Sequence, residues 1–191
     1  MTYDLKNVFY LGFNHEWAGG TAASKQSVQP IDVSAYVDPI AKGRARGQGL
    51  AVYKVHHTLS TSTGGPILPG ETAAMTMFLT VKPFSNTGDV LTGQFSDGDW
   101  QASSDLNIQT DQFQGGGETS LVANMATGGK LIPGLEPSTK VPYVVVRDTV
   151  FACMINTKAI AADINSGYRL ECAPIRLDTA TLNQLLRTQT A

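Results

Sequence analysis

Alternation of apolar and polar residues with a period of two, broken about every dozen residues by Gly, Pro, Ser, Asn and Asp, is the strongest constraint on this chain. Helical periodicity is nearly absent, so the apolar surface has to be buried by stacking one sheet on another. The longest alternating run sets Ala51, Tyr53, Val55, His57 and Leu59 against Val52, Lys54, His56 and Thr58, and the first set is expected on the core face. A second run, Ala74 to Lys82, places Met75, Met77, Leu79 and Val81 on one side and is closed by Pro83. Phe9, Leu11 and Phe13 oppose Val8 and Tyr10; Ile31, Val33, Ala35 and Val37 alternate with polar neighbours and with Tyr36 as far as Pro39. Further on, Tyr143 to Val146 and Thr149 to Ile155 are β-prone, and Tyr168, Leu170 and Cys172 alternate with Arg169 and Glu171 before Pro174.

With a brief strand near Leu106 to Ile108, these runs give eight candidate strands, centred near Phe9, Val33, Val55, Leu79, Ile108, Val145, Cys153 and Leu170. They predict an all-β fold: an eight-stranded antiparallel β-sandwich or jelly-roll barrel with long loops and a short C-terminal helix. The 191 residues suffice for one complete core, so residues 1–191 are expected to form a single domain. Gly12 to Gln29 is small and polar, and residues 1–29 are expected to be a partly extended N-terminal arm. Ser85 to Gly117 and Ala126 to Pro142 read as long loops. Asp178 is a good N-cap for a helix carrying Leu182, Leu185 and Leu186 at helical spacing with Arg187 near its end, and Ala159 to Asp163 suits one further turn.

Composition narrows the function. Only 16% of residues are charged, with 14 basic and 16 acidic side chains, against the usual quarter. A protein built to grip nucleic acid needs a clear cationic excess, so that class is excluded. Wholesale disorder is excluded as well, because 42% hydrophobic residues supply enough apolar surface to offset ordering entropy. No stretch has the length and apolarity of a membrane span, and Met1 to Lys6 lacks the order of a secretory signal, so export is not expected.

The chemistry-bearing residues form no catalytic pattern. His56 and His57 are adjacent, and neighbours in a strand point to opposite faces, so they cannot share a metal; one is expected at the surface and one in the core or an interface. The same objection applies to His15-Glu16. Asp97-Gly98-Asp99 lacks the remaining ligands of a calcium loop, and Gly115-Gly116-Gly117-Glu118-Thr119 lacks the Lys and helix of a phosphate loop. Cys153 and Cys172 sit in apolar alternating runs and read as buried reduced thiols. No enzyme activity, cofactor or metal is therefore expected. Lys42, Arg44 and Arg46 form a local basic patch, suited either to a solvated loop or to contact with an anionic surface or neighbouring subunit.

Long loops of low charge suit burial against copies of the same chain, because interface centres are depleted in charge. In strand number, length, loops and N-terminal extension the chain resembles the single jelly-roll capsid proteins of icosahedral viruses, in general type the small major capsid proteins of tailless, membrane-containing phages and archaeal viruses. The resemblance implies a non-catalytic shell subunit forming trimers, pentamers or hexamer-like capsomers, made in the host cytoplasm and located in the virion. Its partners would be copies of itself, with a second capsid protein, an internal membrane or the genome as further candidates, and no small-molecule substrate. Met1 to Gln29 lacks the basic RNA-binding arm of the plant-virus type, which favours the membrane-lined type. The main alternative is a lectin-like carbohydrate-binding sandwich using Trp17, Trp100, Tyr36 or Tyr168 as a sugar platform. A third is a sandwich glycosidase whose acid pair the sequence does not identify.

Overall fold

The computed structural model describes residues 7–17, 26–38, 46–61, 74–82, 104–114, 129–133, 136–156 and 163–190. Nine strands lie within them: β1 (Phe9–Trp17), β2 (Gln26–Asp32), β3 (Arg46–Thr61), β4 (Ala74–Thr80), β5 (Asn107–Gln114), β6 (Gly129–Pro133), β7 (Tyr143–Val145), β8 (Thr149–Asn156) and β9 (Ile164–Asp178). One helix, α1 (Thr179–Thr190), follows β9 without a loop. The strands form two antiparallel sheets, ordered β1-β9-β3-β7 and β2-β8-β4-β5-β6. Successive strands cross between the sheets except along β4, β5 and β6. This is the winding of a jelly-roll sandwich with β6 as an added edge strand, in agreement with the expected fold.

The core lies between the sheets. Leu50, Val52, Val55, Leu170 and Cys172 from one sheet meet Met75, Met77, Leu79, Ile108, Val150, Ala152 and Met154 from the other, all buried. Each Val, Leu, Ile or Met side chain among them contributes about 1.5–3 kcal/mol by leaving water. The outer face of the five-stranded sheet carries a second apolar cluster, with Phe78 and Cys153 fully buried and Val28, Phe151 and Ile155 packed around them. Strand β8 is therefore apolar on both faces, as its sequence TVFACMIN suggests.

Three expectations need correction. The β3 alternation does not run through: a bulge between Val52, opposite Cys172, and Lys54, opposite Glu171, makes Tyr53 an extra residue in the strand. An extra residue reverses the facing of everything beyond it. Leu50 and Val52 face the core, Ala51 and Tyr53 lie in a separate cluster with Ala173, and only beyond the bulge do Val55 and Leu59 join the core. Next, the run at Ile31 to Val37 is not one strand. Asp32 Oδ1 accepts a hydrogen bond from the Ser34 N–H at 2.8 Å, and this local turn starts a 3-10 turn over Ser34–Tyr36. The strand lies earlier, as β2, and begins inside residues 1–29, expected to be an arm; exposed Pro30 is tolerated because β2 is an edge. The same segment contains the whole second half of β1, so residues 9–17 and 26–32 belong to the sheets. Finally, the two supposed long loops contribute strands, since β5 continues to Gln114 and β6 occupies Gly129–Pro133.

Helix α1 begins as expected. Asp178 Oδ1 accepts from the Thr181 N–H at 2.8 Å, and Asp178 Oδ2 from the Thr181 hydroxyl at 3.0 Å. Leu182, Leu185 and Leu186 pack on Val146, Leu177, Val144 and Ile175. Gly47 is required by this docking, because a Cβ there would stand 2.5 Å from Leu182 Cδ2. The far end is fastened by Gln189, which is buried. Its Nε2 donates to Val144 O at 2.6 Å and its Oε1 accepts from the Val146 N–H at 3.1 Å, so the side-chain amide stands in for a strand beside β7. Gln189→Ala leaves both backbone groups unpaired and is expected to cost about 1–3 kcal/mol. Urea unfolding measures that loss, and limited proteolysis should show cleavage shifting into α1.

Candidate functional site

Of the basic patch, Lys42 and Arg44 lie outside the described residues, and Arg46 is placed by its backbone alone, opposite Asp178 at the start of β3. Trp100, Asp97 to Asp99, Gly115 to Thr119 and residues 159–162 also lie outside them.

The adjacent histidines separate as strand geometry requires. His57 enters the sandwich, where its side chain is 0% exposed and its Nδ1 lies 2.6 Å from Asp111 Oδ2. That contact is close but poorly aligned for a hydrogen bond. Gln109 organises the surroundings from β5. Its Nε2 donates to Asp111 Oδ2 at 3.0 Å and to Val55 O at 2.8 Å, and its Oε1 accepts from the Val55 N–H at 3.2 Å. Edge-on to His57, at 4.8 Å between centroids, stands Tyr168, whose hydroxyl donates to Cys153 O. Burial holds the Tyr168 phenol well above its usual range. The spacing of residues 109 and 111 puts both polar groups on the inner face of β5, where an apolar residue is the normal expectation. Neither was singled out in the sequence, because their partners lie 54 positions away.

His15 is also buried, on the inner face of β1. A 2.8 Å hydrogen bond joins its Nε2 to Ser27 Oγ, while among the described residues Nδ1 has no partner. Desolvation of the charged ring lowers its pKa from 6.5 to about 4. Two proposed sugar platforms are unavailable: Trp17 and Tyr168 are buried in the core. Tyr36 is partly buried, with its ring 4.9 Å from that of Phe9. Cys153 and Cys172 are buried free thiols as expected, and burial pushes the Cys172 thiol up to about 12. Among the described residues no three His, Cys, Asp or Glu side chains are grouped to hold a metal ion.

The concave surface of the sandwich is elsewhere. On the outer face of β1, β9 and β3, a groove of about 640 Å³ is lined by residues including Tyr10, Gly12, Asn14, His56, Thr58 and Arg169. The register sets its outward residues in three rows: Tyr10 beside Glu171, which is beside Lys54; Gly12 beside Arg169, beside His56; and Asn14 beside Gly167, beside Thr58. Two diagonal contacts tie the first two rows together. His56 Nε2 lies 2.7 Å from Glu171 Oε1, and the Arg169 guanidinium sits 5.5 Å from the centre of the Tyr10 ring. The two glycines differ. A Cβ at Gly167 would collide with the Thr58 hydroxyl, whereas one at Gly12 would find its nearest neighbour, Tyr168 O, at 3.9 Å. Sequence alternation marks these residues as a solvent face, and the void left by Gly12 becomes visible only once β9 and β3 are set beside β1.

His15 stays neutral in the fold down to about pH 4 while it is protonated below about 6.5 in the unfolded chain. The unfolded state therefore binds more protons in that window, and stability should fall by about 3 kcal/mol as the pH drops through it. His15→Asn removes this component. Urea midpoints measured at pH 7.5 and 4 should differ less for the variant than for the parent; equal differences would refute the assignment.

No protein-family model and no curated sequence matches the chain. Among solved structures, a chain described as desmodium yellow mottle tymovirus is similar at a TM-score of 0.26 and 8% identity, with 88% of each chain covered. A likeness at that level adds nothing to the two-sheet sandwich that the strand order itself establishes.

Proposed function

We propose that the chain is a structural subunit of an icosahedral virus capsid, self-associating into capsomers and located in the virion. The observation that carries this reading is the winding β1-β9-β3-β7 over β2-β8-β4-β5-β6. Jelly rolls serve chiefly as capsid subunits, lectin domains and cupins. A cupin reading meets an obstacle in His56 and His57, which lie on opposite faces and make separate carboxylate contacts. The lectin reading loses Trp17 and Tyr168 as platforms because both are buried.

Two further features support a shell subunit. Charge is only 16% of the sequence, whereas a free monomer usually keeps more for solubility. Strand β1 ends its sheet, and among the described residues no strand pairs with its outer edge, which offers nine residues of backbone to a neighbour. In this reading the chain performs no catalysis and its partners are copies of itself. The basic residues Lys42, Arg44 and Arg46 would then face a neighbouring subunit or an anionic surface.

Light scattering after size exclusion, combined with negative-stain microscopy, tests the proposal. Large or concentration-dependent assemblies of regular diameter are expected. A species that stays monomeric at high concentration across a range of salt would overturn the reading.

A further inference from the structure

We propose that the groove on the outer face of β1, β9 and β3 is a saccharide site for a pyranose bearing a carboxylate, with Arg169 as its anion anchor and Tyr10 as its aromatic wall. The inference is independent of capsid assembly. It rests on the shape and chemistry of a surface on which Tyr10, Asn14, His56, Thr58 and Arg169 stand outside the sandwich core.

Shape comes first. The opposite half of the same sheet is covered by α1, whereas this half stays open. Its volume of about 640 Å³ falls within the range of small-ligand pockets and accommodates a disaccharide. Nothing in the packing requires the void at Gly12, since a Cβ there would meet only Tyr168 O, at an ordinary contact distance of 3.9 Å. At Gly167, by contrast, glycine is needed to make room for Thr58.

The lining chemistry selects the ligand class. Sugar hydroxyls both donate and accept, and they match planar or two-way polar groups such as the Asn14 amide, the Thr58 hydroxyl and the His56 imidazole. Tyr10 is 61% exposed despite its size, and it supplies the aromatic surface on which the C–H face of a pyranose stacks. Arg169 occupies the central position. Its guanidinium is held over the Tyr10 ring, and among the described residues it forms no ion pair, so its N–H fork remains available for a carboxylate. The neighbouring Glu171 has one oxygen engaged by His56 and keeps the groove near charge balance.

Binding is tested by calorimetry on the full chain with 3′-sialyllactose and a glucuronate-terminated disaccharide as acidic probes, and lactose as the neutral one. At least one acidic probe should bind about tenfold or more tighter than lactose, and rising salt should weaken it. Arg169→Gln should erase that preference to within about twofold, and Tyr10→Ala should weaken every probe that binds by roughly tenfold. Gly12→Val should abolish binding while leaving the melting temperature unchanged. The proposal is overturned if no probe binds at about 10 mM, if lactose binds as tightly as both acidic sugars, or if Gly12→Val binds like the parent. A Gly12→Val protein that fails to fold would overturn it too, because it would contradict the open space on which the site depends.

Discussion

Strand β3 changes the face it presents to the core at Tyr53, and three separate regions of the molecule depend on that change. Before the bulge, Gly47, Gly49 and Ala51 lie on the outer face, where the two glycines leave room for Leu182 and Leu177 and Ala51 packs with Ala173. After it, His57 points inward to Asp111, and His56 points outward to Glu171 and the groove. A regular strand would reverse both histidines, placing His56 in the core and His57 in solvent. One added residue thus decides which imidazole is buried, where the helix can dock and which half of the sheet stays open.

The bulge also creates a hydrogen-bonding problem. Strand β7 pairs with β3 only as far as Val52, so the backbone of Val55 lies beyond its reach. Gln109 supplies the missing partner from the opposite sheet, bonding both the N–H and the C=O of Val55. Gln189 does the same for Val144 and Val146 at the outer edge of β7. A side-chain amide sets a donor beside an acceptor in the planar geometry of a peptide group, so glutamine can complete a ladder where no strand is available. Both glutamines are nearly inaccessible to solvent, which is where an unpaired backbone group costs most.

The amino-acid sequence made the apolar strands legible and the polar ones not. Alternation located β4 through Met75, Met77 and Leu79, and β9 through Tyr168, Leu170 and Cys172, because one face of each is almost purely apolar. Of strand β5 only the start near Ile108 was legible, since Gln109 and Asp111 occupy inward positions and break the hydrophobic pattern. Strand β2 stayed hidden because an edge strand tolerates Pro30 and needs few apolar residues. The run from Ile31 to Val37 alternated convincingly, yet the short bond from Ser34 to Asp32 took precedence over periodicity. The groove was illegible for another reason: its residues come from positions 10–14, 56–58 and 167–171 and are adjacent only through register.

The order of strands in the four-stranded sheet also governs when the fold can form. Strand β1 has β9 as its neighbour, with Phe9 opposite Cys172, and β3 borders β9 along nearly its whole length. During synthesis the early strands therefore leave the ribosome with their principal partner still untranslated. The five-stranded sheet can close locally along β4, β5 and β6, whereas the other must wait until β9 has been made. Pairing across such a separation is slow, because loop closure has to be completed before any contact rewards it. The nascent chain thus spends its longest interval with the β1 edge bare, when premature pairing with a second nascent copy competes with correct closure.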